Sequence, residues 1–147
     1  ENTNAGLVYS DYYEIKQQVS YPHPVIDYQK GSLRDDFNFG YLLFYRVEAI
    51  KDAIDRTAKD YNYAGFYNLR LKCSQKYDVI RIPEYLYSTI ESDVRKSGVK
   101  QFDYVDPKNR DVQLEMEKVC TEHLKDIGAF LEPNFDTIKI DDDSFDV

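Results

Sequence analysis

The stretch FYNLRLKCSQKYDVIRIPEYLY (residues 66–87) contains two different periodicities, one after the other. In its first half, apolar or aromatic residues recur at the spacing of a buried helix face: Phe66, Leu69, Cys73 and Tyr77. In its second half the side chains alternate in character, as in a strand, until Pro83 interrupts the pattern. A helix that leads directly into a strand indicates an α/β fold.

Upstream of this stretch, three segments have the composition of β-strands. AGLVYSDYYEI (residues 5–15) is rich in strand-forming residues, and Leu7, Tyr9 and Asp11 share one side of the predicted strand. Nearby prolines exclude a helix in the next segment, which is predicted as a loop followed by a short edge strand over Val25–Tyr28. A third strand is predicted over Phe39–Tyr45, where the apolar composition indicates burial.

Two more helices are predicted on either side of the opening stretch. VEAIKDAIDRTAK (residues 47–59) has an apolar stripe at helical spacing: Val47, Ile50, Ile54 and Ala58. A long helix is predicted from Pro107 to about Leu131, because Asp106 provides an N-cap and Pro133 forbids continuation. The stripe of this helix comprises Val112, Met116, Val119, Leu124, Ile127 and Leu131. The result is an α/β fold with a few strands and three helices, too few strands for a complete doubly wound domain.

The composition bounds the partners and the compartment. A net charge of −8 argues against nucleic acid and anionic lipid surfaces, because an acidic protein repels phosphates. The densest basic run, DVRKSGVK (residues 93–100), is short and is interpreted as a solvated loop. No run of about 18 apolar residues occurs, so no transmembrane segment is predicted. The two cysteines are far apart and fit a reducing compartment.

Polar residues crowd the segment GSLRDDFNFG (residues 31–40), just before the predicted buried strand. Carboxylates and amides hydrogen-bond to sugar hydroxyls, and aromatic rings stack on the apolar faces of sugars. The candidate ligand-binding residues here are Arg34, Asp35, Asp36, Asn38, Phe39 and Tyr41. The alternative is a solvated turn in which Asp35 caps the chain locally. Glu91, after the last strand, belongs to a mobile lid or to a plain surface loop.

Other kinds of site have no support in the sequence. Neither histidine stands near a serine or cysteine in a nucleophile elbow. The histidines, cysteines and aspartates lack the spacing of a metal site, so no metal ligand is predicted. The glycines are scattered singly, which excludes a phosphate-binding glycine loop.

Three segments, taken in order, resemble a known family. They are ENTNAGLVYSDYYEI (residues 1–15), GSLRDDFNFGYLLFYRVEAI (residues 31–50) and NLRLKCSQKYDVIRIPEYLYSTIESD (residues 68–93). Their order and spacing resemble the C-terminal, acceptor-side portion of the bacterial family-two glycosyltransferases, which have the GT-A fold. The resemblance covers residues 1–105, and residues 106–147 are expected to form a helical appendage with an acidic tail.

The resemblance implies a partial GT-A-like domain that ends the acceptor side of a larger enzyme. The family's N-terminal half binds the nucleotide sugar together with Mg²⁺ or Mn²⁺, so this chain is expected to lack that cofactor and to be inactive alone. A start without methionine fits a piece of a longer protein. The implied partners are the N-terminal half and a glycan or surface-polysaccharide acceptor, in the cytoplasm or at the inner face of the membrane. An unpaired sheet edge also allows a homodimer.

The expected catalytic base of the family is absent from its usual place. An acidic pair normally stands six or seven residues before the helix arginine, here Arg70, and those positions hold Tyr63 and Ala64. Asp36 is the first candidate for a replacement, with Asp60 the second and Glu91 also considered. The alternative is that this helix is structural and that Arg70 only braces the loop.

The other family roles are assigned with that replacement. Arg34 and Asn38 would orient the acceptor, while Phe39 or Tyr41 would line its site. The alternative interpretation is a non-catalytic carbohydrate-binding or scaffolding module derived from the same fold.

Overall fold

The computed structural model describes residues 4–90 and 110–135. The strands are β1 (Ala5–Lys16), β2 (Val19–His23), β3 (Phe44–Tyr45) and β4 (Asp78–Ile90). The helices are α1 (Val47–Asp55), α2 (Gly65–Lys76) and α3 (Arg110–Asp126). A four-stranded sheet with three helices is a mixed α/β fold, so the predicted class is confirmed at this level for the described residues. Glu91 and the predicted start of the third helix lie outside them.

Strand β1 is the centre of the sheet because both of its edges are paired. On one edge, β4 runs parallel to it from the Ala5–Asp78 pair to the Ile15–Ile90 pair. The other edge is shared by β3, near the start of β1, and by β2, near its end, both antiparallel. The prediction that residues 5–15 form a strand inside a sheet is therefore confirmed.

The main core lies on the side of β1 that Leu7, Tyr9 and Asp11 share. Leu7, Tyr9 and Asp11 are 0 %, 1 % and 3 % exposed. Leu7 and Tyr9 pack with three further buried side chains: Tyr12, Val25 and Phe39. The buried hydroxyl of Tyr9 donates a hydrogen bond to the carbonyl of Ile26 at 2.7 Å, which satisfies its polar end.

The predicted edge strand over Val25–Tyr28 is wrong, because backbone groups of this segment form hydrogen bonds with side chains instead of with a neighbouring strand. The Val25 N–H donates to Oδ1 of Asp11 at 3.0 Å, and the Ile26 carbonyl accepts from Tyr9. The strand in this region is β2, which includes Pro22 and pairs only with the end of β1. Proline is tolerated there because β2 lies at an edge of the sheet.

The predicted strand over Phe39–Tyr45 is also wrong for most of its length, since only Phe44–Tyr45 pairs with β1. Gly40 has a φ of +77°, a left-handed conformation that a strand does not contain. Its N–H donates to Oδ1 of Asn38 at 2.9 Å, and this local turn removes the segment from the sheet.

The prediction that Pro83 interrupts the last strand is wrong, because β4 continues through this residue. Along β1, Ser10 pairs with Ile82 while the next residue, Asp11, pairs with Tyr85. The register shift leaves Pro83 in a bulge, where its missing N–H leaves no gap in the ladder.

The predicted apolar stripe of α1 is wrong at three positions, because Ala58 is exposed beyond the end of the helix and two residues within the helix are also exposed. Val47 and Ile54 are 57 % and 60 % exposed, whereas Ala49 and Ala53 are fully buried. A side chain at Gly6 of β1 would lie 3.3 Å from Cβ of Ala49, so small residues on both elements allow the helix to approach the sheet closely.

Of the stripes predicted for the other two helices, Cys73 and Val119 are buried as expected, but both helices also bury residues that the apolar pattern did not identify. In α2, Phe66 is 82 % exposed, and the buried residues are Tyr67, Asn68, Arg70, Leu71 and Cys73. In α3 the buried residues are Val119 and His123. The predicted end of α3 at Leu131 is wrong, because the helix ends at Asp126 and Gly128 adopts a φ of +70°. In the described ranges, the helices are too short or too polar to cross a lipid bilayer.

His123 gives the fold a specific pH dependence. Burial lowers the pKa of its imidazole below the ordinary value of 6.5, and the Gln75 amide donates to Nδ1 at 3.1 Å. Of the neighbouring charges, Asp126 opposes this lowering, while Lys72 and Arg70 reinforce it. Because this pKa is lower in the folded state, the unfolded chain binds the proton at a higher pH than the folded protein does. The stability contributed by the neutral imidazole is therefore complete above pH 6.5 and is lost as the pH falls through the folded-state pKa.

We therefore expect wild-type protein to lose more stability than the His123→Gln variant between pH 7 and pH 5. Urea unfolding of both proteins at the two pH values measures the difference, and carboxylate contributions are common to both. Parallel losses in the two proteins would contradict the assignment.

Candidate functional site

The polar loop, residues 32–41, is held in place by two side chains of α2. Arg70 is only 4 % exposed, and it donates to the carbonyls of Ser32 at 3.3 Å and Arg34 at 2.6 Å. The Tyr67 hydroxyl donates to the carbonyl of the intervening residue, Leu33, at 2.5 Å. Three successive carbonyls of the polar loop are thus bound by one helix.

The guanidinium of Arg70 also lies among aromatic rings. Its central carbon is 5.1 Å from the ring centre of Tyr67, 5.7 Å from that of Phe39 and 5.9 Å from that of Tyr28. These are cation–π distances, and they stabilise a charge that has little access to water. Phe39 is itself buried against Tyr9, with ring centres 5.0 Å apart, so it supports the polar loop from the core side.

Asp36 is engaged by Arg34 on the exposed side of the polar loop. Nε and Nη2 of Arg34 donate to the two carboxylate oxygens, each at 3.0 Å. This hydrogen bonding lowers the pKa of Asp36, which makes the carboxylate a weaker base. Asp35 is exposed beside the pair, and its charge adds to the field on Arg34.

Asn38 and Tyr41 meet a group of rings that we call the aromatic platform: Tyr12, His23, Tyr41 and Tyr87. His23 and Tyr87 both stack on the ring of Tyr12, with ring centres 4.5 Å and 5.3 Å from that of Tyr12. Nδ2 of Asn38 lies 3.5 Å from Nε2 of His23. Tyr41 is 71 % exposed, so the platform presents a free ring to solvent.

Asp60 lines a cavity of about 460 Å³ where the end of α1 and the start of α2 meet. Its polar lining consists of Thr57, Lys59, Asp60, Asn62 and Asn68. Its apolar lining consists of Ile54, Tyr61, Tyr63, Phe66 and Leu69. Among the described residues, Asp60 has no hydrogen-bond or ion-pair partner, so its carboxylate is available to a ligand.

The structure divides the predicted site residues between two places. Arg34, Asp36, Asn38 and Tyr41 lie on the polar loop, whereas Asp60 belongs to the cavity. Helix α2 joins the two, because it binds the polar loop through Arg70 and lines the cavity through Phe66. In the described part of the chain, no three His, Cys, Asp or Glu side chains are grouped to hold a metal ion.

Sequence reasoning missed the amides of the cavity. Asn62 and Asn68 flank the start of α2, and Nδ2 of Asn68 donates to the Thr57 hydroxyl at 2.9 Å. The signal was present, because the segment DYNYAGFYN (residues 60–68) places both asparagines and Asp60 among four aromatic residues.

Comparisons with known proteins return no match: no family model, no curated protein and no solved structure is similar to this chain. The resemblance to family-two glycosyltransferases therefore stays a prediction from the quoted segments.

Proposed function

We propose that the chain is the acceptor-side part of a nucleotide-sugar-dependent glycosyltransferase that adds a sugar to a glycan or surface polysaccharide. The observation that carries this proposal is the cavity beside Asp60, which combines an available carboxylate with amides and aromatic rings. The ordered resemblance of residues 1–105 to such enzymes supports the same conclusion.

The lining of the cavity suits a carbohydrate. Sugar hydroxyls need both donors and acceptors, which the exposed side-chain amide of Asn62 supplies. Exposed rings suit the apolar faces of a sugar, and Phe66 and Tyr63 are 82 % and 56 % exposed. A volume of about 460 Å³ is within the usual range of small-molecule sites and accommodates one or two sugar rings.

Asp60 is the better candidate for the general base. In the proposed step, an acceptor hydroxyl oxygen attacks the anomeric carbon of the donor and its proton passes to the Asp60 carboxylate. The bond from the anomeric carbon to the phosphate oxygen breaks, and the nucleoside diphosphate leaves with the bonding electrons. Asp36 is less suited, because both of its oxygens accept hydrogen bonds from Arg34.

The proposal places the nucleotide sugar outside the described residues. Mg²⁺ or Mn²⁺, bound with the donor, would neutralise the charge of the departing diphosphate. Arg34 and Asn38 on the polar loop, and Tyr41 on the aromatic platform, would contact more distant parts of the acceptor.

Transfer from a panel of nucleotide sugars with Mn²⁺ or Mg²⁺, using the full-length protein that contains this chain, tests the assignment. We expect Asp60→Asn to lower kcat by at least about 100-fold, as removal of a general base does. Asp55→Asn, an exposed change at the end of α1 that does not line the cavity, is the matched control and should leave kcat unchanged.

The same assay distinguishes the alternatives for the base. A normal kcat in Asp60→Asn, together with a collapse in Asp36→Asn, would transfer the role to Asp36. Normal rates in both variants would remove both residues from the chemistry.

A second candidate function is carbohydrate binding without turnover. It is favoured by the aromatic platform, where Tyr41 is exposed, and by the Asp36 carboxylate, which is occupied by Arg34. This reading expects affinity for a glycan but no transfer from any donor in a folded full-length protein.

A further inference from the structure

The segment that forms one wall of the cavity is anchored from behind by α3. Oε1 of Glu115 accepts the N–H of Asn62 at 3.0 Å. Oε2 of the same carboxylate accepts the N–H groups of Tyr63 at 2.5 Å and Ala64 at 2.7 Å. A single side chain therefore binds three consecutive backbone amides that lie more than fifty residues away in sequence.

These amides precede the first turn of α2, which has no cap of its own. Ala64 occupies the N-cap position without a side-chain hydrogen bond, and the first turn of α2 contains no acidic residue. A carboxylate is stabilising at this end of a helix, because the free N–H groups carry partial positive charge. Glu115 supplies that carboxylate from another element, because its Oε2 accepts the Ala64 N–H.

A second carboxylate of α3 fixes the other end of the same segment. Glu122 accepts a hydrogen bond from the Tyr61 hydroxyl at 2.9 Å and pairs with Nζ of Lys59 at 3.5 Å. Between the two carboxylates, the buried side chain of Val119 packs into the cluster that includes Ala64. Glu122 thus binds Lys59 and Tyr61, the residues on either side of Asp60, while Asp60 itself has no hydrogen-bond or ion-pair partner among the described residues.

We infer that Glu115 is a positioning residue of the proposed transferase, which holds the backbone beside Asp60 so that the carboxylate meets the acceptor hydroxyl. The inference rests on the proposed function. Glu115 does not line the cavity, and it acts only through the main chain of residues 62–64. The hydrogen bonds also lower the pKa of Glu115, so it remains a charged acceptor at neutral pH.

Loss of the Glu115 carboxylate should lower kcat more than it weakens binding of the nucleotide sugar. A displacement of about 1 Å in a catalytic group can lower a rate about 100-fold, even when the changed residue is remote from the chemistry. Glu115 therefore joins α3, which looked like an appendage in the sequence, to the proposed acceptor site.

The test compares Glu115→Ala, Glu115→Gln and the matched control Glu117→Ala in the full-length protein. Glu117 is exposed on the same helix. We expect Glu115→Ala to lower kcat about 100-fold while the KM for the nucleotide sugar is unchanged. Glu115→Gln, which keeps one acceptor oxygen, should recover part of the loss, and Glu117→Ala should behave as wild type.

Hydrogen–deuterium exchange of a peptide covering residues 59–66 gives the structural readout in the same proteins. Exchange of the amides of residues 62–64 should be about tenfold faster or more in Glu115→Ala, with an unchanged pattern in β1. Faster exchange with wild-type kcat would overturn the positioning role, and so would unchanged exchange. An inactive wild type would instead refute the proposed function, and the inference would fall with it.

Discussion

We expect Arg70→Met to lower the free energy of unfolding by about 3 kcal/mol, because it removes the buried, charged donor that binds two carbonyls of the polar loop. Arg70 binds the carbonyls of Ser32 and Arg34 and lies over aromatic rings. Methionine replaces the volume of the side chain but none of its donors. A hydrogen bond from a charged donor contributes about 1.5–3 kcal/mol, and the lost cation–π contacts add to the effect.

Urea unfolding of the chain measures this effect. Arg70→Lys should fall between wild type and Arg70→Met, because an ammonium cannot span the two carbonyls as the planar guanidinium does. The matched control is Arg34→Met, which removes an exposed arginine from the same neighbourhood and should change stability far less. Equal losses in Arg70→Met and Arg34→Met would show that Arg70 does not hold the polar loop.

The second large effect is expected at the ion pair between Asp11 and Arg81, which joins β1 to β4. Nε and Nη2 of Arg81 donate to the two oxygens of Asp11 at 2.8 Å and 2.7 Å, and the Asp11 side chain is 4 % exposed. Oδ1 of Asp11 also binds the Val25 N–H. Arg81→Met leaves this carboxylate buried with one backbone donor, a situation that strongly destabilises proteins.

We expect Arg81→Met to lower the melting temperature by about 10 °C. Asp27→Asn is the control, because Asp27 is 83 % exposed and adds only one contact to Arg81, so its effect should be small. The double variant Asp11→Ala/Arg81→Met should be more stable than the sum of the single changes predicts. Additive losses would mean that the pair is not coupled.

The pair between Asp11 and Arg81 also makes the stability of the fold decrease at acidic pH. Arg81 lowers the pKa of Asp11 below its ordinary value of 3.8. The stability that depends on the ionised carboxylate is complete above that value and is lost as the pH falls through the folded-state pKa.

The local pattern predicted those elements whose hydrogen bonds remain within the element or with a neighbouring strand. Strand β1 and helix α2 were located from alternation and helical spacing. The segment over Phe39–Tyr45 failed because its backbone turns at Gly40 and the Tyr41 N–H donates to the hydroxyl of Tyr87, which lies far away in sequence. The stripe of α1 failed because Ala49 and Ala53 are buried for their small size, which a search for large apolar residues overlooks.

The candidate site was predictable only in part for a similar reason. Asp60 was among the proposed residues because acidic side chains are visible in the sequence. Asp36 is unavailable because Arg34 binds its carboxylate, whereas Asp60 is available because it lines the cavity without a partner among the described residues. Neither fact is visible in the sequence. Glu115 could not be assigned at all, because its partners are backbone amides whose position is fixed only when α3 packs on α2.

Amide NMR spectra of the ¹⁵N-labelled chain, recorded as free mono- and disaccharides are added up to about 0.1 M, ask whether the cavity beside Asp60 binds sugar. The account predicts that at least one sugar shifts the amides of residues 54–69, and that Phe66→Ala abolishes these shifts while the sheet spectrum is unchanged. Spectra that remain unchanged with every sugar, or shifts confined to residues outside the cavity, would contradict it.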